Sequence, residues 1–145
     1  MSDLPDGVGT ARLDAAAADR FLRLRDALGV TSFGINKLVL TPRQRNRIHR
    51  HTGQEEVYVV LAGELTLAVE GVEHRFGAGE IVRVAPAVRR QLINRGPADL
   101  ELLVLGSMVD RAHVSRDAEA FADWADSEPG TPQTVPLPED LPAGA

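Results

Sequence analysis

Cysteine is absent from the 145 residues, which excludes disulfides, thiolate metal sites and cysteine nucleophiles, and nothing requires an oxidising compartment. The opening MSDLPDGVGTARLD lacks a basic start followed by an apolar core, and no apolar run approaches membrane-spanning length. A soluble cytoplasmic protein without a membrane partner is the expectation. Excess positive charge is also missing. A formal net charge of -5 argues against duplex nucleic-acid binding, which needs a basic face to neutralise phosphates, and no helix-turn-helix is seen ahead of the strand-rich region. Lysine occurs once, at Lys37, among 16 basic residues. With plentiful Ala, Gly and Pro, this suggests a GC-rich codon bias and lowers the weight of any single arginine as a signal.

What is present fits one domain, since a chain of this length can bury a core unaided. Residues 14–28, DAAAADRFLRLRDAL, place Ala17, Phe21, Leu24 and Leu28 on one helical face behind an Asp14 N-cap, with Gly29 as the stop. The spacing predicts an amphipathic helix in an N-terminal segment, 1–30. From 31 to 106 the chain changes to short runs rich in Val, Ile and Leu, divided by turns such as Thr52-Gly53, Ala62-Gly63, Glu70-Gly71 and Gly77-Ala78-Gly79. That texture predicts an all-β antiparallel sandwich or barrel. A short helix is expected over Asp117 to Trp124 within a helical segment at 107–126, with Phe121 and Trp124 as a plug on the barrel end. The Pro-rich tail, 127–145, is expected to be extended or disordered, or to lie as an arm on a neighbouring subunit.

Within the strand region, His49-Arg50-His51-Thr52-Gly53-Gln54-Glu55-Glu56 puts two imidazoles on one strand face, about 7 Å apart along the backbone. Glu56, past the turn, is expected on the antiparallel neighbour facing the same interior, with Glu55 pointing away. Two neutral imidazoles and a carboxylate suit iron, manganese, nickel or zinc and leave coordination positions open. Arg47 shares the parity of His49 and His51 and is a candidate anion contact. Tyr58 shares that of Glu56 and offers a phenol to a ligand or bridges core and rim.

The same residues resemble the cupin family. His49-x-His51, four residues, Glu56, six residues and Gly63 fit the ligand portion of the first cupin motif, G(x)5HxH(x)3-4E(x)6G, with Arg43 at the opening glycine. The second motif, G(x)5PxG(x)2H(x)3N, aligns on Gly79, Ala85, Ala87, Arg90 and Asn94. Its ends match, while its Pro, Gly and His have become Ala, Ala and Arg. The resemblance implies a cupin jelly-roll barrel over 31–106, and a homodimer, as small cupins commonly form; apolar residues on both parities of VYVVL also call for an outer cover. It leaves the reaction open, because the fold serves oxygenases, isomerases, decarboxylases and non-catalytic sensors alike.

Position 90 is where the family places its fourth ligand, and a guanidinium cannot ligate a metal. At about 4 Å and an effective dielectric near 20, Arg90 would oppose a dication by roughly 8 kcal/mol and gain roughly 4 kcal/mol beside Glu56 alone, before desolvation. Three readings stand: Arg90 closes a metal-free pocket by pairing with Glu56, clamps a carboxylate or phosphate substrate, or is neutral drift. The corresponding functions are a metal cupin acting on a small organic acid or sugar by oxygenase or isomerase chemistry, with Arg90, Arg47 and Tyr58 as substrate contacts, and a metal-free small-molecule binding or sensing module. Asn94 reads as a turn hydrogen-bonder. His74 and His113 lack partners at ligand spacing.

Overall fold

The computed structural model describes residues 4–13, 20–107, 117–126 and 128–144. Its elements run β1 (Phe21–Arg23), α1 (Arg25–Leu28), β2 (Phe33–Leu40), β3 (Ile48–His51), β4 (Glu56–Ala62), β5 (Glu64–Val69), β6 (Val72–Gly77), β7 (Ile81–Val84), β8 (Arg90–Ile93), β9 (Leu100–Ser107) and β10 (Ala118–Phe121). They form two antiparallel five-stranded sheets, β1-β2-β9-β4-β7 and β10-β3-β8-β5-β6, packed face to face as a jelly roll. Alternate residues of each strand turn inward. Leu38 and Leu40, Tyr58 and Val60, Leu65 and Leu67, and Leu100, Leu102 and Val104 thus meet in one core.

The chain reaches the site strand through an unusual backbone. Arg43, at the position of the motif's first glycine, holds φ 75°, a left-handed conformation that costs a side chain roughly 1–2 kcal/mol. The closing glycine, Gly63, is kept for good reason. At φ 77° a Cβ there would stand 2.4 Å from the Asp99 carbonyl oxygen, so no other residue fits without moving backbone.

Three expectations require correction. The described part of the N-terminal helix, residues 20–28, is strand β1 followed by the single turn α1; Asp14 lies outside the described residues. Helical periodicity lost to pairing, since β2 would otherwise expose a row of unpaired backbone groups. β1 fills it, with Val39 N–H donating to Arg20 O at 2.7 Å and Leu24 N–H to Ile35 O at 3.1 Å. Gly29 does stop the turn, in the left-handed conformation. The helix expected from Asp117 is strand β10, paired with β3 from Ala118↔His51 to Phe121↔Ile48, for the same edge-covering reason. Phe121 and Trp124 do not plug an end. Phe121 lies under the guanidinium groups of Arg50 and Arg89, and Trp124 packs with Ala68, Ile93 and Leu141, covering the outside of the second sheet.

The Pro-rich tail is extended and lies along its own chain. Gly130 bridges Ala120, Leu141 is buried with its N–H on Arg43 O at 2.8 Å, and the Glu139 carbonyl accepts from Arg45 Nε. The outer side of the first sheet is covered only in part among the described residues: Leu24 and Lys37, the latter paired with Glu101 at 2.7 Å, are buried there. The same side carries Ile35, Val39, Val57, Val59, Leu103 and Leu105, all partly exposed, and Phe33, Leu61 and Ile81, which are exposed.

Candidate metal centre

His49 and His51 lie on β3 and Glu56 opens β4, but these strands belong to opposite sheets. The Thr52–Glu55 connection therefore crosses from one sheet to the other instead of making a hairpin, and the carboxylate faces the imidazoles across the interior. This corrects the expected neighbouring-strand placement while leaving the convergence intact. One nitrogen from each ring and one Glu56 oxygen all lie within 4.8 Å of one another, and the rings meet edge to face at 5.4 Å between centroids. Glu55 points away, onto the Arg83 guanidinium.

The hydrogen bonds fix which nitrogen of each histidine faces the cluster. His49 Nδ1 lies 2.9 Å from the Arg47 carbonyl oxygen, which can only accept, so Nδ1 carries the proton. His51 Nδ1 is 3.1 Å from Asp117 Oδ2. Burial pushes the Asp117 carboxyl up, but bonds from Thr52 Oγ1–H and the Gly53 and Gln54 N–H groups bring it below its ordinary range. It is therefore ionised and accepts from His51 Nδ1–H. In the neutral rings both Nε2 lone pairs are thus left toward Glu56. His51 Nε2 is buried with no hydrogen-bond partner, although Glu56 Oε1 is 3.2 Å away; the approach lacks hydrogen-bond alignment. His49 Nε2, at 3.7 Å, is beyond hydrogen-bond distance. An orphaned ring nitrogen whose other nitrogen donates to a carboxylate is the usual state of a metal-ligating histidine.

Glu56 is held from behind. Its Oε1 accepts from Tyr58 O–H at 2.6 Å and from Arg90 Nη2 at 2.8 Å. Burial raises its carboxyl, while hydrogen bonds and charge from His49 and His51 in their protonated forms bring it well below the usual range. Burial and the Glu56 charge push the Tyr58 phenol well above 10. Arg90 is 0 % exposed and remains charged, its guanidinium raised by Tyr58 and Glu56 against the opposing effect of burial. Every nitrogen of Arg90 is engaged: Nε donates to Tyr58 Oη, Nη2 to Glu56, and Nη1 to the Val88 and Pro86 carbonyls at 2.8 and 3.1 Å. Of the three readings of Arg90, the Glu56 pair is the arrangement found. These bonds use four of the five guanidinium N–H groups, so a substrate contact by Arg90 would have to use the one remaining Nη2–H.

The donor set fits a divalent metal in kind, since two oriented lone pairs and an ionised carboxylate converge, although the Glu56 oxygen facing the imidazoles, Oε1, is the one that also accepts from Tyr58 and Arg90. His49, His51 and Glu56 can hold an ion. They sit at the floor of a cavity of about 680 Å³, whose wall also includes Tyr58, Arg47 and Asn46. Asn94 is a structural hydrogen-bonder, with Nδ2 donating to the Leu40 and Ala98 carbonyls. Gln91 Nε2 donates to Asn46 O, and His74 is exposed on β6. His113 lies outside the described residues. Asp117, 61 positions beyond Glu56 and in no recognised motif, carries no local signal of this role.

The Cupin domain family model matches residues 37–106. A sugar phosphate isomerase from a cupin superfamily of Silicibacter pomeroyi is similar at TM-score 0.58 and 30% identity, over 70% of this chain and 69% of that one. A cupin protein from Bacteroides fragilis gives 0.58 at 22% identity, over 69% and 86%. A cupin 2 conserved barrel domain protein from Salinispora arenicola gives 0.51 at 24%, over 59% and 70%; at these identities the last two speak for the fold alone. Among curated proteins, none matches the chain in sequence. No helix of the described residues is long and apolar enough to cross a membrane. With both sheets, the inward-facing ligand cluster and the family match in agreement, the chain belongs to the cupin superfamily.

Proposed function

We propose that the chain is a metal-dependent small cupin in which His49, His51 and Glu56 hold a divalent transition metal (iron, manganese, nickel or zinc) beneath a pocket for a small anionic sugar or organic acid. The observation that carries this reading is the buried, unpartnered His51 Nε2, held by Asp117 with its lone pair toward Glu56. The metal supplies Lewis acidity, polarising a ligand oxygen. The chain's own groups bind and orient: Tyr58 and Arg90 fix the Glu56 carboxylate, and Arg47 lines the wall above it. A dication and the Arg90 guanidinium against one carboxylate leave a formal charge of +2, which favours an anionic ligand. Isomerisation is the reaction class preferred, and the isomerase from Silicibacter pomeroyi supports it.

A second reading rests on the Arg90–Glu56 pair itself. A carboxylate already neutralised by a buried guanidinium makes a metal-free binding or sensing module. Metal analysis of protein purified without chelator separates the two, repeated on a His49→Ala/His51→Ala double variant and on Arg90→His. Stoichiometric metal in the native chain that disappears in the double variant supports the metal cupin. Near-zero metal restored by Arg90→His contradicts it and supports the closed module.

The partly exposed apolar residues on the outer side of the first sheet support a homodimer formed through that side, since exposed apolar surface of this kind marks association. Size-exclusion mass near twice 15.6 kDa is expected, and a monomer mass at micromolar concentration would remove this part of the proposal.

A further inference from the structure

The cavity's charge is distributed in a way the chain as a whole is not. Its wall includes four arginines, Arg20, Arg23, Arg25 and Arg47, against two acids, Asp26 and Glu56, in a protein of net charge -5. Glu56 is neutralised by Arg90, and Asp26 lies 3.8 Å from Arg25 Nε. Three arginines remain. Among the described residues Arg20 Nη1 is buried without a hydrogen-bond partner, and its other terminal nitrogen is 3.9 Å from the half-exposed Asp140, a weak pairing. Arg47 is oriented through Nε, which donates to Val135 O at 2.6 Å, leaving both terminal nitrogens without a partner among the described residues. Arg23 has no ion pair or hydrogen bond from its side chain there.

We infer that Arg20, Arg23 and Arg47 form an anion site at the cavity mouth for the phosphoryl end of a phosphomonoester whose organic part extends toward the His49–His51–Glu56 floor. A buried guanidinium nitrogen with no partner is costly to leave so, and guanidinium forks match phosphate oxygens. A phosphomonoester dianion offers three terminal oxygens and two charges to three cations, where a carboxylate offers two oxygens and one charge. The cavity, at about 680 Å³, falls within the range that holds a small organic ligand and greatly exceeds a bare phosphate. Phe21 and Arg23 of β1 and Pro132 and Leu137 of the tail line this cavity from outside the family-matched residues 37–106. This inference deepens the proposed function and relies on it for the reacting end of the ligand, while the anion site stands on its own residues.

Calorimetric titration of the full chain with glucose 6-phosphate, glucose and glucuronate tests it, with metal content measured on the same samples. Glucose 6-phosphate is expected to bind at least about tenfold more tightly than glucose or glucuronate, to be displaced by inorganic phosphate, and to weaken about tenfold or more in Arg20→Ala/Arg23→Ala. Glucose affinity stays unchanged in that variant, and its melting temperature does not fall. Equal affinity for glucose or glucuronate, full retention by the double variant, or no binding of either phosphate compound at millimolar concentration overturns the inference. Phosphate-ester binding by metal-free protein would sustain it while contradicting the metal reading of the floor.

Discussion

The floor and the mouth of the cavity use the same residue type in opposite ways. At the floor, Arg90 is fully buried, with every nitrogen engaged by Glu56, Tyr58 or a backbone carbonyl. At the mouth, Arg20, Arg23 and Arg47 keep donors without partners among the described residues. The first arrangement fixes a carboxylate; the second leaves charge available to something outside the chain. Arginine identity alone therefore says little about role, and the number of unspent donors says much more.

The largest effect expected from breaking this contrast is at the floor. In metal-stripped protein, Arg90→Met leaves Glu56 buried without its counter-charge and should cost about 3–5 kcal/mol in urea unfolding, whereas Arg23→Ala at the mouth should stay within about 0.5 kcal/mol of the native chain. Comparable losses from both would erase the distinction. Next in size is Asp117→Asn. The amide presents a single acceptor oxygen where the carboxylate serves four donors, so stability should fall by about 1–3 kcal/mol and zinc affinity by about 10–100-fold, read by unfolding and by competition with a chromophoric chelator.

A pH titration sharpens the same point. Asp117 and Glu56 are both held below their ordinary values of 3.8 and 4.5 in the folded chain. Their stabilisation is complete above those values and is lost as pH falls through the lowered ones. The urea midpoint should therefore drop below about pH 4, and Asp117→Asn should flatten part of that slope. A midpoint independent of pH in that range would remove the carboxylates from the stability argument. The smallest effect belongs to neither region: Arg43→Gly relieves a left-handed side chain and should add about 0.5–1 kcal/mol, visible as a higher melting temperature.

The barrel and the ligand triplet were legible because both depend on local pattern: alternation along strands and the spacing of His49, His51, Glu56 and Gly63. The inward pairing of Arg90 was legible as one of three options, since a buried guanidinium needs a carboxylate and Glu56 was the one the motif supplied. β1 and β10 were not legible. Each has apolar residues at helix-compatible spacing, and what makes it a strand is an unpaired edge contributed by β2 or β3, which local periodicity does not register. Asp117 was hidden for the same reason, because its meaning comes from β10 lying against β3 and bringing it to the Thr52-Gly53 turn. The tail read as extended, disordered or an arm on a neighbouring subunit, yet its carbonyls at Val135 and Glu139 orient Arg47 and Arg45 of its own chain, and backbone acceptors leave no mark in sequence.

The claim on which the metal reading turns is that the floor is ready for an ion although Arg90 occupies the fourth-ligand position. Nitrogen-15 NMR of the imidazoles in chelator-treated protein near neutral pH tests it most directly. Both His49 and His51 should appear as neutral rings protonated at Nδ1, with the two Nε2 resonances shifting on addition of one equivalent of zinc. Imidazolium rings paired to Glu56, or Nε2 resonances that zinc leaves unmoved, would contradict it.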